Sequence, residues 1–535
     1  MLQGLMQARP LLVSAITDYA EQAHGKREIT SRLVDEPDWR YDYRGLAQRS
    51  RKLANALLDL GICAGDRVSS LAWNTHRHME LFFGVTGSGA VLHTANPRLH
   101  ADQIIYTINH AGSRILFFDS SFTKLVESIR PRLLTVEHFF SLSPSGAAAT
   151  YEDFISPASS EFVWPIFDEN SGAILCYTSG TTGSPKGVLY SHRSIVLHAM
   201  GAGLPAAFGL TAFDVVMPCS SLYHATAWGL PFVAAIAGSK FVLPADRLDP
   251  ESLHELIERE GVTFTGGVPT IWTAYLEWLD RLEKSPAGLR RVVIGGSAVP
   301  VSMAQSFLRQ HNVEVLQLWG MTETCPLGVV ATPTPQLASR GETEMWETIW
   351  TRQGRLQFGI ELKLVDEAGC CVAHDGHTPG ALMVRGPWVV ERYFGSAEPA
   401  VDSEGWFNTG DVATLDEDGF MRITDRAKDV IKSGGEWISS IDLENAAAGA
   451  PGVKVAAVVG LAHPRWDERP LLVVEPHEGA VISITVVMDH LRDKIVRWWL
   501  PDSIIIAEVP LTATGKIDKK QLRIQYQGYY DDAKT

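Results

Sequence analysis

The chain has 535 residues, of which 45% are hydrophobic and 20% are charged, and its formal net charge is −15 at pH 7. This balance is typical of a globular protein rather than a disordered one, and the length predicts two or more domains. The acidic charge argues against general nucleic-acid binding, because there is no surplus of Lys and Arg to neutralise phosphates. An anionic small molecule remains compatible with it, since a few local donors can outweigh a distant net charge.

Helix and strand patterns alternate through the first four fifths of the chain. Residues 44–60 place Leu46, Leu53, Leu57 and Leu58 near one helical face. The other predicted elements of this region are strands over residues 68–73, 115–118, 173–176, 188–190, 240–243, 262–265, 291–294 and 314–318, and helices over 79–87 and around 104–108. Such alternation predicts an α/β fold of mostly parallel sheets covered by helices.

A change of pattern near residues 425–428 predicts a domain boundary. A turn-rich strand region, residues 406–423, precedes it, and a strand over 453–461, a helix over 489–499 and a strand over 504–509 follow it. We therefore predict a large domain over residues 1–424 and a small α+β domain over 425–535. A site between two such domains can be assembled and dismantled by hinge motion.

The sequence shows no sign of export, membrane insertion or a disulfide framework. The first 23 residues lack a basic start, a long apolar run and a small-residue cleavage site. No stretch reaches the roughly 18 to 20 apolar residues of a membrane span. The six cysteines have neither zinc-ligand spacing nor a plausible pairing pattern, Cys370 and Cys371 being adjacent. We therefore predict free thiols and a cytoplasmic location.

The segment YTSGTTGSPKGV, residues 177–188, has the composition of a phosphate-binding loop. Its glycines allow the backbone to approach a ligand closely, and exposed N–H groups in such a turn form a concave anion site. Lys186 adds a positive charge. No Gly-Lys-Ser/Thr ends the loop, so its spacing excludes a P-loop kinase. A flexible surface loop rich in Gly, Ser and Thr is the alternative. The candidate phosphate ligands are Thr178, Ser179, Gly180, Thr181, Thr182, Gly183 and Lys186.

This segment resembles the signature of the adenylate-forming superfamily, which includes acyl-CoA synthetases, firefly-type luciferases and peptide-synthetase adenylation domains. Further family-like segments follow in the family's order over nearly the whole chain. The likeness is greatest to the medium-chain acyl-CoA synthetase branch, including ligases for methylmercaptopropionate; it is carried by Trp73 and Asn74 and by residues 87–98, 224–231 and 463–466. The resemblance implies that residues 1–424 bind ATP and the acid, that residues 425–535 form a mobile domain, and that Mg²⁺ and CoA are required.

The resemblance also assigns the adenine site. The backbone of Gly295, Gly296 and Ser297 would pass beside the base, on a strand-then-Gly-Gly turn that is common in unrelated proteins. Trp319, followed by Gly320, stands where most members have a stacking Tyr. A Trp face can stack at least as well, so the family resemblance implies that Trp319 stacks on adenine.

Four polar residues would hold the remainder of the nucleotide by the same resemblance. Thr322 would contact a phosphate, and Glu323 would hold Mg²⁺, which prefers few carboxylates together with phosphate oxygens. Asp411 would accept hydrogen bonds from both ribose hydroxyls through its two oxygens. Arg426 would reach ribose or phosphate. The alternatives are a solvated Glu at a helix start and an Asp in a plain turn.

The resemblance assigns the small domain a hinge, a CoA-facing strand and one catalytic lysine. Lys428 matches the hinge pivot. The residues predicted to face CoA are Ser433, Gly434, Gly435 and Trp437, with Lys432 as a further catalytic candidate. Two glycines would permit close passage of a thin thiol arm. The alternative is a charged linker followed by a β-turn.

Lys516 matches the lysine of the family's adenylation step. Its ammonium group would stabilise negative charge on the α-phosphate and the carboxylate oxygens. The family's usual Lys-Thr before this position is replaced by Leu511 and Thr512, while the Gly-Lys pair remains. The alternative is a solvated surface lysine.

The resemblance places the acyl site around two further segments. The candidates for it are His224, Trp228, Gly266, Gly267 and Val268. A histidine among aromatics is equally compatible with a packed core residue, and Trp228 with core filling.

These assignments predict an AMP-forming acid–CoA ligase with ATP and CoA as co-substrates. The acid would be a short- or medium-chain, mostly apolar monocarboxylate of the fatty-acid or methylmercaptopropionate type. An aryl-acid ligase, an enzyme that loads a carrier-protein thiol and, more remotely, oxygen-dependent light emission are alternatives. A non-catalytic sensor should have lost Glu323, Asp411 or Lys516, and all three are present. The resembling branch also suggests a homodimer.

Overall fold

The computed structural model describes residues 2–144, 149–178, 185–433, 436–512 and 515–531, with the backbone alone at residues 436 and 437. Over these ranges the chain forms a mixed α/β region followed by a separate C-terminal domain, which confirms the predicted fold class. Among the described residues, none of the helices is both long and apolar enough to cross a membrane. All six cysteines carry free thiols.

The largest sheet has nine strands within the described ranges. With strands numbered in chain order, it contains β1 (Glu28–Ser31), β2 (Trp39–Asp42), β9 (Val215–Pro218), β10 (Lys240–Leu243), β11 (Phe264–Gly267), β12 (Arg291–Ile294), β13 (Glu314–Gly320), β14 (Leu327–Val330) and β15 (Arg355–Leu356). Its order is β15-β14-β13-β12-β11-β9-β10-β1-β2; the centre is parallel and the outer pairs are antiparallel. Gly266, Gly295 and Trp319 all lie at or just beyond carboxyl ends of its parallel strands, where ligands bind in open α/β sheets.

The second sheet has six strands in the part of the chain that is described. They are β3 (Arg67–Leu71), β4 (Val91–Thr94), β5 (Ser113–Phe118), β6 (His138–Ser141), β7 (Gly172–Tyr177) and β8 (Gly187–Ser191). All neighbouring pairs are parallel except β7 with β8. Strands β7 and β8 pair with each other and flank the predicted phosphate loop in sequence.

A small antiparallel sheet leads into the C-terminal domain. Its strands are β16 (Glu361–Val365), β17 (Gly380–Arg385), β18 (Phe407–Leu415) and β19 (Met421–Arg426). The C-terminal sheet contains β20 (Ile431–Ser433), β21 (Glu436–Ile438), β22 (Val453–His463), β23 (Asp467–Pro476) and β24 (Ser503–Ile506). Val458 and Val459 point to opposite faces of β22 and enter two different hydrophobic clusters. The C-terminal domain therefore has hydrophobic packing of its own on both faces of its sheet.

Helices connect and cover these sheets. The described residues form α1 (Val13–His24), α2 (Tyr43–Asp59), α3 (His76–Gly87), α4 (Ala101–Ala111), α5 (Thr123–Ile129), α6 (Tyr151–Ile155), α7 (His192–Gly203), α8 (Leu230–Ala237), α9 (Pro250–Glu260), α10 (Pro269–Leu282), α11 (Val301–His311), α12 (Pro335–Ala338), α13 (Glu342–Thr351), α14 (Ser440–Ala448), α15 (Ile484–Arg492) and α16 (Lys519–Gln525). Helix α9 shows how the sequence sets their ends. Asp249 accepts a hydrogen bond from the Ser252 N–H, Pro250 occupies the first turn, and Gly261 ends the helix with a positive φ.

The predicted strands at residues 240–243 and 291–294 are confirmed at both ends. The strand predicted at 262–265 is instead β11, two residues later, because the Val262 N–H still bonds to Ile257 at the end of α9. The helix predicted at 489–499 is wrong. Helix α15 ends at Arg492 and a short 3-10 turn, Arg497–Trp499, follows. The apolar spacing continued through Ile495 because that side chain packs on the C-terminal core after the backbone has left the helix.

Candidate functional site

Trp319, Asp411 and Arg426 form one hydrogen-bonded cluster. The Trp319 indole Nε1 donates to Asp411 Oδ2 at 2.8 Å, and Arg426 Nε lies 2.7 Å from Asp411 Oδ1. Asp411 and Arg426 are partners across the β18–β19 ladder, so the strand register brings them together. Asp411 is only 3% exposed. Burial raises its pKa, and the charge of Arg426 and the hydrogen bond from Trp319 oppose that rise.

The ring of Trp319 lies against a glycine that the sequence did not single out. A Cβ at Gly328 would come within 2.5 Å of the indole, so any other residue there would displace the ring. Gly328 lies in β14, which pairs with β13 in antiparallel fashion. The hydrogen bond to Asp411 therefore fixes the N–H edge of the indole. The missing side chain at Gly328 leaves the space in which the ring lies.

A cavity of about 390 Å³ is lined by residues of the same two sheets and of the C-terminal domain, and not by Trp319, Asp411 or Arg426. Its walls include Ala298 and Val299 from the predicted adenine turn, Gln317 and Ile423, and Trp499 from the C-terminal domain. Gln317 precedes Trp319 by two residues, which places both side chains on the same face of β13. Its side-chain Nε2 donates to the Trp350 backbone oxygen, so Gln317 ties β13 to helix α13.

Glu323 lies in a short 3-10 helix, Thr322–Thr324, directly after β13. Its Oε1 accepts a hydrogen bond from the Tyr393 hydroxyl at 2.9 Å, and the Tyr190 hydroxyl donates to the Thr322 backbone oxygen at 2.6 Å. Burial raises the pKa of Glu323, while Tyr393, Arg426 and Lys186 act against that rise. Tyr393 was not predicted, since only the tertiary fold brings it to Glu323.

Lys186 faces the same tyrosine. Its Nζ lies 4.7 Å from the centre of the Tyr393 ring. The Thr178 N–H donates to the Lys186 backbone oxygen at 2.9 Å, which closes the base of the β7–β8 hairpin. The other predicted phosphate ligands, Ser179, Gly180, Thr181, Thr182 and Gly183, lie outside the described residues.

The donor set around Glu323 fits a magnesium ion that is shared with phosphate. Among the described residues, no group of three or more His, Cys, Asp or Glu side chains could hold a metal ion. Mg²⁺ commonly keeps several waters and uses one or two protein carboxylates together with substrate phosphates. A single buried carboxylate opposite Lys186 and the hairpin satisfies that requirement.

Lys516 reaches into this region from the C-terminal domain. A Cβ at Gly296, where φ is +87°, would lie 3.6 Å from Lys516 Cε and 3.3 Å from Val268. The pKa of Lys516 is lowered to about 8, mainly by burial and also by the charge of Arg426. The charges of Asp411 and Glu323 act in the opposite direction and raise this pKa. The structure thus brings Lys516 between the predicted acyl wall and the Asp411 cluster.

Of the residues predicted to face CoA, Ser433 is the one whose side chain the structure describes. The Ser433 hydroxyl accepts a hydrogen bond from Arg469 at 3.1 Å, and the Lys432 N–H donates to Glu468 at 3.0 Å, both within the C-terminal domain. Gly434, Gly435 and the side chain of Trp437 lie outside the described residues. Lys428 is exposed in the turn between β19 and β20, and its backbone oxygen accepts a hydrogen bond from Arg523.

The predicted acyl segment contains a left-handed turn, Ala225–Gly229. Every residue in it has a positive φ, from +40° at Ala225 to +76° at Gly229. This backbone costs roughly 1–2 kcal/mol for each non-glycine residue, so tertiary contacts must hold it. Such strain concentrates at functional sites. The sequence did not predict the turn, because Ala, Thr and Trp have no preference for positive φ.

The turn presents Trp228 to the glycines of β11. Trp228 is 6% exposed, and a Cβ at Gly266 would lie 3.3 Å from its ring. A Cβ at Gly267 would lie 3.2 Å from the Cys219 Cβ. His224 begins the turn, and burial together with the nearby charge of Lys516 lowers its pKa to about 4. His224 is therefore neutral at pH 7, and the cation at this wall is Lys516.

The chain matches known proteins along nearly its whole length. The sequence model described as "AMP-binding enzyme" matches residues 17–394, and the one described as "AMP-binding enzyme C-terminal domain" matches residues 442–516. A 3-methylmercaptopropionyl-CoA ligase of Ruegeria pomeroyi is 46% identical over 98% of this chain and 99% of its own. A medium-chain-fatty-acid–CoA ligase of Ectopseudomonas oleovorans is 42% identical over 98% of this chain and 97% of its own.

A solved structure has the same fold. The crystal structure of an anthranilate–CoA ligase in complex with anthranoyl-AMP superposes with a TM-score of 0.86 at 26% identity, covering 97% of this chain and 99% of that one. The match includes the C-terminal domain as well as the large sheets.

Proposed function

This chain belongs to the AMP-binding enzyme family and is an AMP-forming acid–CoA ligase, and we propose that its acid is a short- or medium-chain, mostly apolar monocarboxylate. The observation that carries the adenylation of an acid at this site is the position of Lys516, between the Trp228 wall and the cluster of Trp319 and Asp411. Two of the relatives are named for 3-methylmercaptopropionate and medium-chain fatty acids, which are acids of this kind.

In the first half-reaction, a carboxylate oxygen of the acid attacks the α-phosphorus of ATP, and pyrophosphate leaves. Trp319 would stack on adenine beside Gly295, Gly296, Ser297 and Gly320, while Asp411 and Arg426 would orient the ribose. Thr322, Lys186 and the hairpin loop would hold the phosphates. The ammonium group of Lys516 would face the negative charge that develops between acid and α-phosphate. Bound Mg²⁺, held by Glu323 and phosphate oxygens, would neutralise phosphate charge.

The acid would lie along His224, Trp228, Gly266, Gly267 and Val268. Because His224 is neutral, it can orient the carboxylate through a hydrogen bond but adds no charge. The absence of a side chain at Gly266 leaves room for the Trp228 ring. An acid with an aryl group is the second candidate, favoured by the same indole face and tested in the experiment below.

In the second half-reaction, the CoA thiol attacks the acyl carbonyl carbon, and AMP leaves. We propose that residues 425–535 rotate about Lys428, so that Lys516 withdraws and the strand at Ser433, with Lys432 and Trp437, lines the thiol path. The position of Lys428 supports this, because it is exposed between β19 and the C-terminal sheet. The domain boundary at residue 425, the homodimer and the cytoplasmic location stay predictions.

A substrate panel tests the proposed acid. AMP and pyrophosphate release would be measured with Mg·ATP, CoA and C2 to C12 fatty acids, methylmercaptopropionate, benzoate and cinnamate. We expect CoA-dependent AMP release that peaks on one aliphatic length or on methylmercaptopropionate. A peak on benzoate or cinnamate would establish the aryl alternative. Pyrophosphate release that is indifferent to CoA would instead point to another thiol acceptor, such as a carrier protein.

The pKa of Lys516 predicts a pH dependence for the adenylation step. Its protonated form is the useful one, and burial lowers its pKa to about 8, so the free enzyme should lose kcat/KM for ATP as the pH rises through 8. Bound ATP adds negative charge and raises that pKa, so kcat should decline only at higher pH. Initial rates of pyrophosphate release from pH 6 to 10 would separate the two profiles. Coincident profiles for kcat and kcat/KM would contradict this assignment.

A further inference from the structure

We propose that Asn74 is a positioning residue for the acyl wall. Its side-chain amide clamps the segment that leads into the left-handed turn, and it thereby fixes where His224 and Trp228 meet the acid. The inference rests on the proposed function, because it concerns the acid side of the same site.

The amide of Asn74 makes three hydrogen bonds to one short stretch of backbone. Nδ2 donates to the Pro218 oxygen at 3.1 Å and to the Ser220 oxygen at 3.0 Å, and Oδ1 accepts from the Leu222 N–H at 2.7 Å. Asn74 is 3% exposed, so water does not compete for these partners. A primary amide is the side chain that supplies two donors and an acceptor together at this length.

The clamp joins the two large sheets. Asn74 follows β3 of the six-stranded sheet, whereas the clamped segment follows β9 of the nine-stranded sheet. The backbone beside it is fixed on both sides: the Trp73 N–H donates to Asp119 at 2.5 Å, and the Asn74 oxygen accepts from the Ala245 N–H at 3.0 Å. The amide therefore projects from an anchored loop and not from a free one.

The clamped segment is the support of a strained backbone. Leu222 precedes His224 by two residues and Trp228 by six, and the positive-φ residues begin at Ala225. Strained conformations persist only where their surroundings fix them, so loss of the clamp should let the turn relax and move the Trp228 ring away from Gly266.

The test compares two variants of Asn74 with a matched control. Asn74→Ala removes all three bonds, and Asn74→Asp keeps the acceptor but sets a carboxylate against two carbonyl oxygens. Asn109→Ala is the control, because Asn109 also bridges loop backbone, donating to the Arg132 oxygen and accepting from the Leu134 N–H, and neither partner is a predicted site residue. KM for acid and for ATP, the chain-length profile, and hydrogen exchange of residues 218–230 would be measured for each.

Both Asn74 variants are expected to raise KM for the acid at least tenfold, to flatten the chain-length profile and to speed exchange in residues 218–230, with KM for ATP changed less than twofold. Asn109→Ala should leave all four unchanged.

Acid kinetics like those of the wild type in folded Asn74 variants would overturn the proposal, as would an equal rise in both KM values. If neither variant folds while Asn109→Ala does, the amide is a determinant of folding and the proposal also fails. Inactivity of the wild-type enzyme on every acid would instead refute the proposed acid. Hydrogen exchange of residues 218–230 would still test the clamp in that case, because unchanged exchange in the Asn74 variants would overturn it.

Discussion

Replacing Lys516 by alanine is expected to lower the rate of acyl-AMP formation by at least about 100-fold, the scale seen when one preorganised electrostatic group is removed from a transition state. The same variant should still convert synthetic acyl-AMP and CoA into thioester at close to the wild-type rate. The reason is positional: Lys516 lies beside Gly296 and Val268 and in the field of Asp411 and Glu323, where the carboxylate must meet the α-phosphate. Thioester formation needs no such cation once pyrophosphate has left.

The two halves would be measured separately, as acid-dependent pyrophosphate release and as thioester formed from acyl-AMP. Lys520→Ala is the matched control, because Lys520 is an exposed lysine four residues away and should leave both rates unchanged. A thermal melt would establish that both variants are folded. Equal loss of both half-reactions in Lys516→Ala would show that the lysine serves both steps, and the proposed domain rotation would lose its main argument.

Much of the large α/β region follows from local sequence. Strands such as β10 and β12 are short apolar runs bounded by turn residues, and a buried parallel strand needs little else to be recognised. Trp319 and Asp411 could also be singled out, because each lies in a segment that resembles a motif of the adenylate-forming family. Their direct hydrogen bond could not, since it depends on the β13 edge meeting β18.

What the sequence did not predict depends on contacts between distant segments. The left-handed turn at Ala225–Gly229 runs against the preference of each of its first four residues, and the segment that leads into it is bonded to the amide of Asn74. Tyr393 reaches Glu323 from 70 residues away, so no spacing could reveal it. The sequence offers both Lys516 and the strand at Ser433 as one wall of the same site. In this structure Lys516 is the one that lies beside Gly296.

Replacing Asp411 by asparagine is expected to lower kcat/KM for ATP about 100-fold, which corresponds to roughly 2.7 kcal/mol of lost transition-state binding. Asp411 now accepts from Trp319 with one oxygen and pairs with Arg426 through the other. An asparagine has one acceptor oxygen, and its NH₂ group would face a second donor. The indole, the guanidinium group and the ribose hydroxyls would then compete for a single oxygen, so the loss should appear mainly in KM for ATP.

The charge of Asp411 also acts on Lys516, which distinguishes this role from a purely geometric one. Asp411 raises the pKa of Lys516 while Arg426 lowers it. Asp411→Asn should therefore move the alkaline limb of kcat/KM for ATP to lower pH. Trp319→Phe, which loses the indole N–H and part of the ring but keeps an aromatic face, should weaken ATP binding less than tenfold and leave that limb in place. A double variant should lose less than the sum of the two, because both changes break the same hydrogen bond. Unchanged ATP kinetics in a folded Asp411→Asn variant would contradict a role of Asp411 in binding ATP. Additive losses in the double variant would show that Trp319 and Asp411 act independently and not through their hydrogen bond.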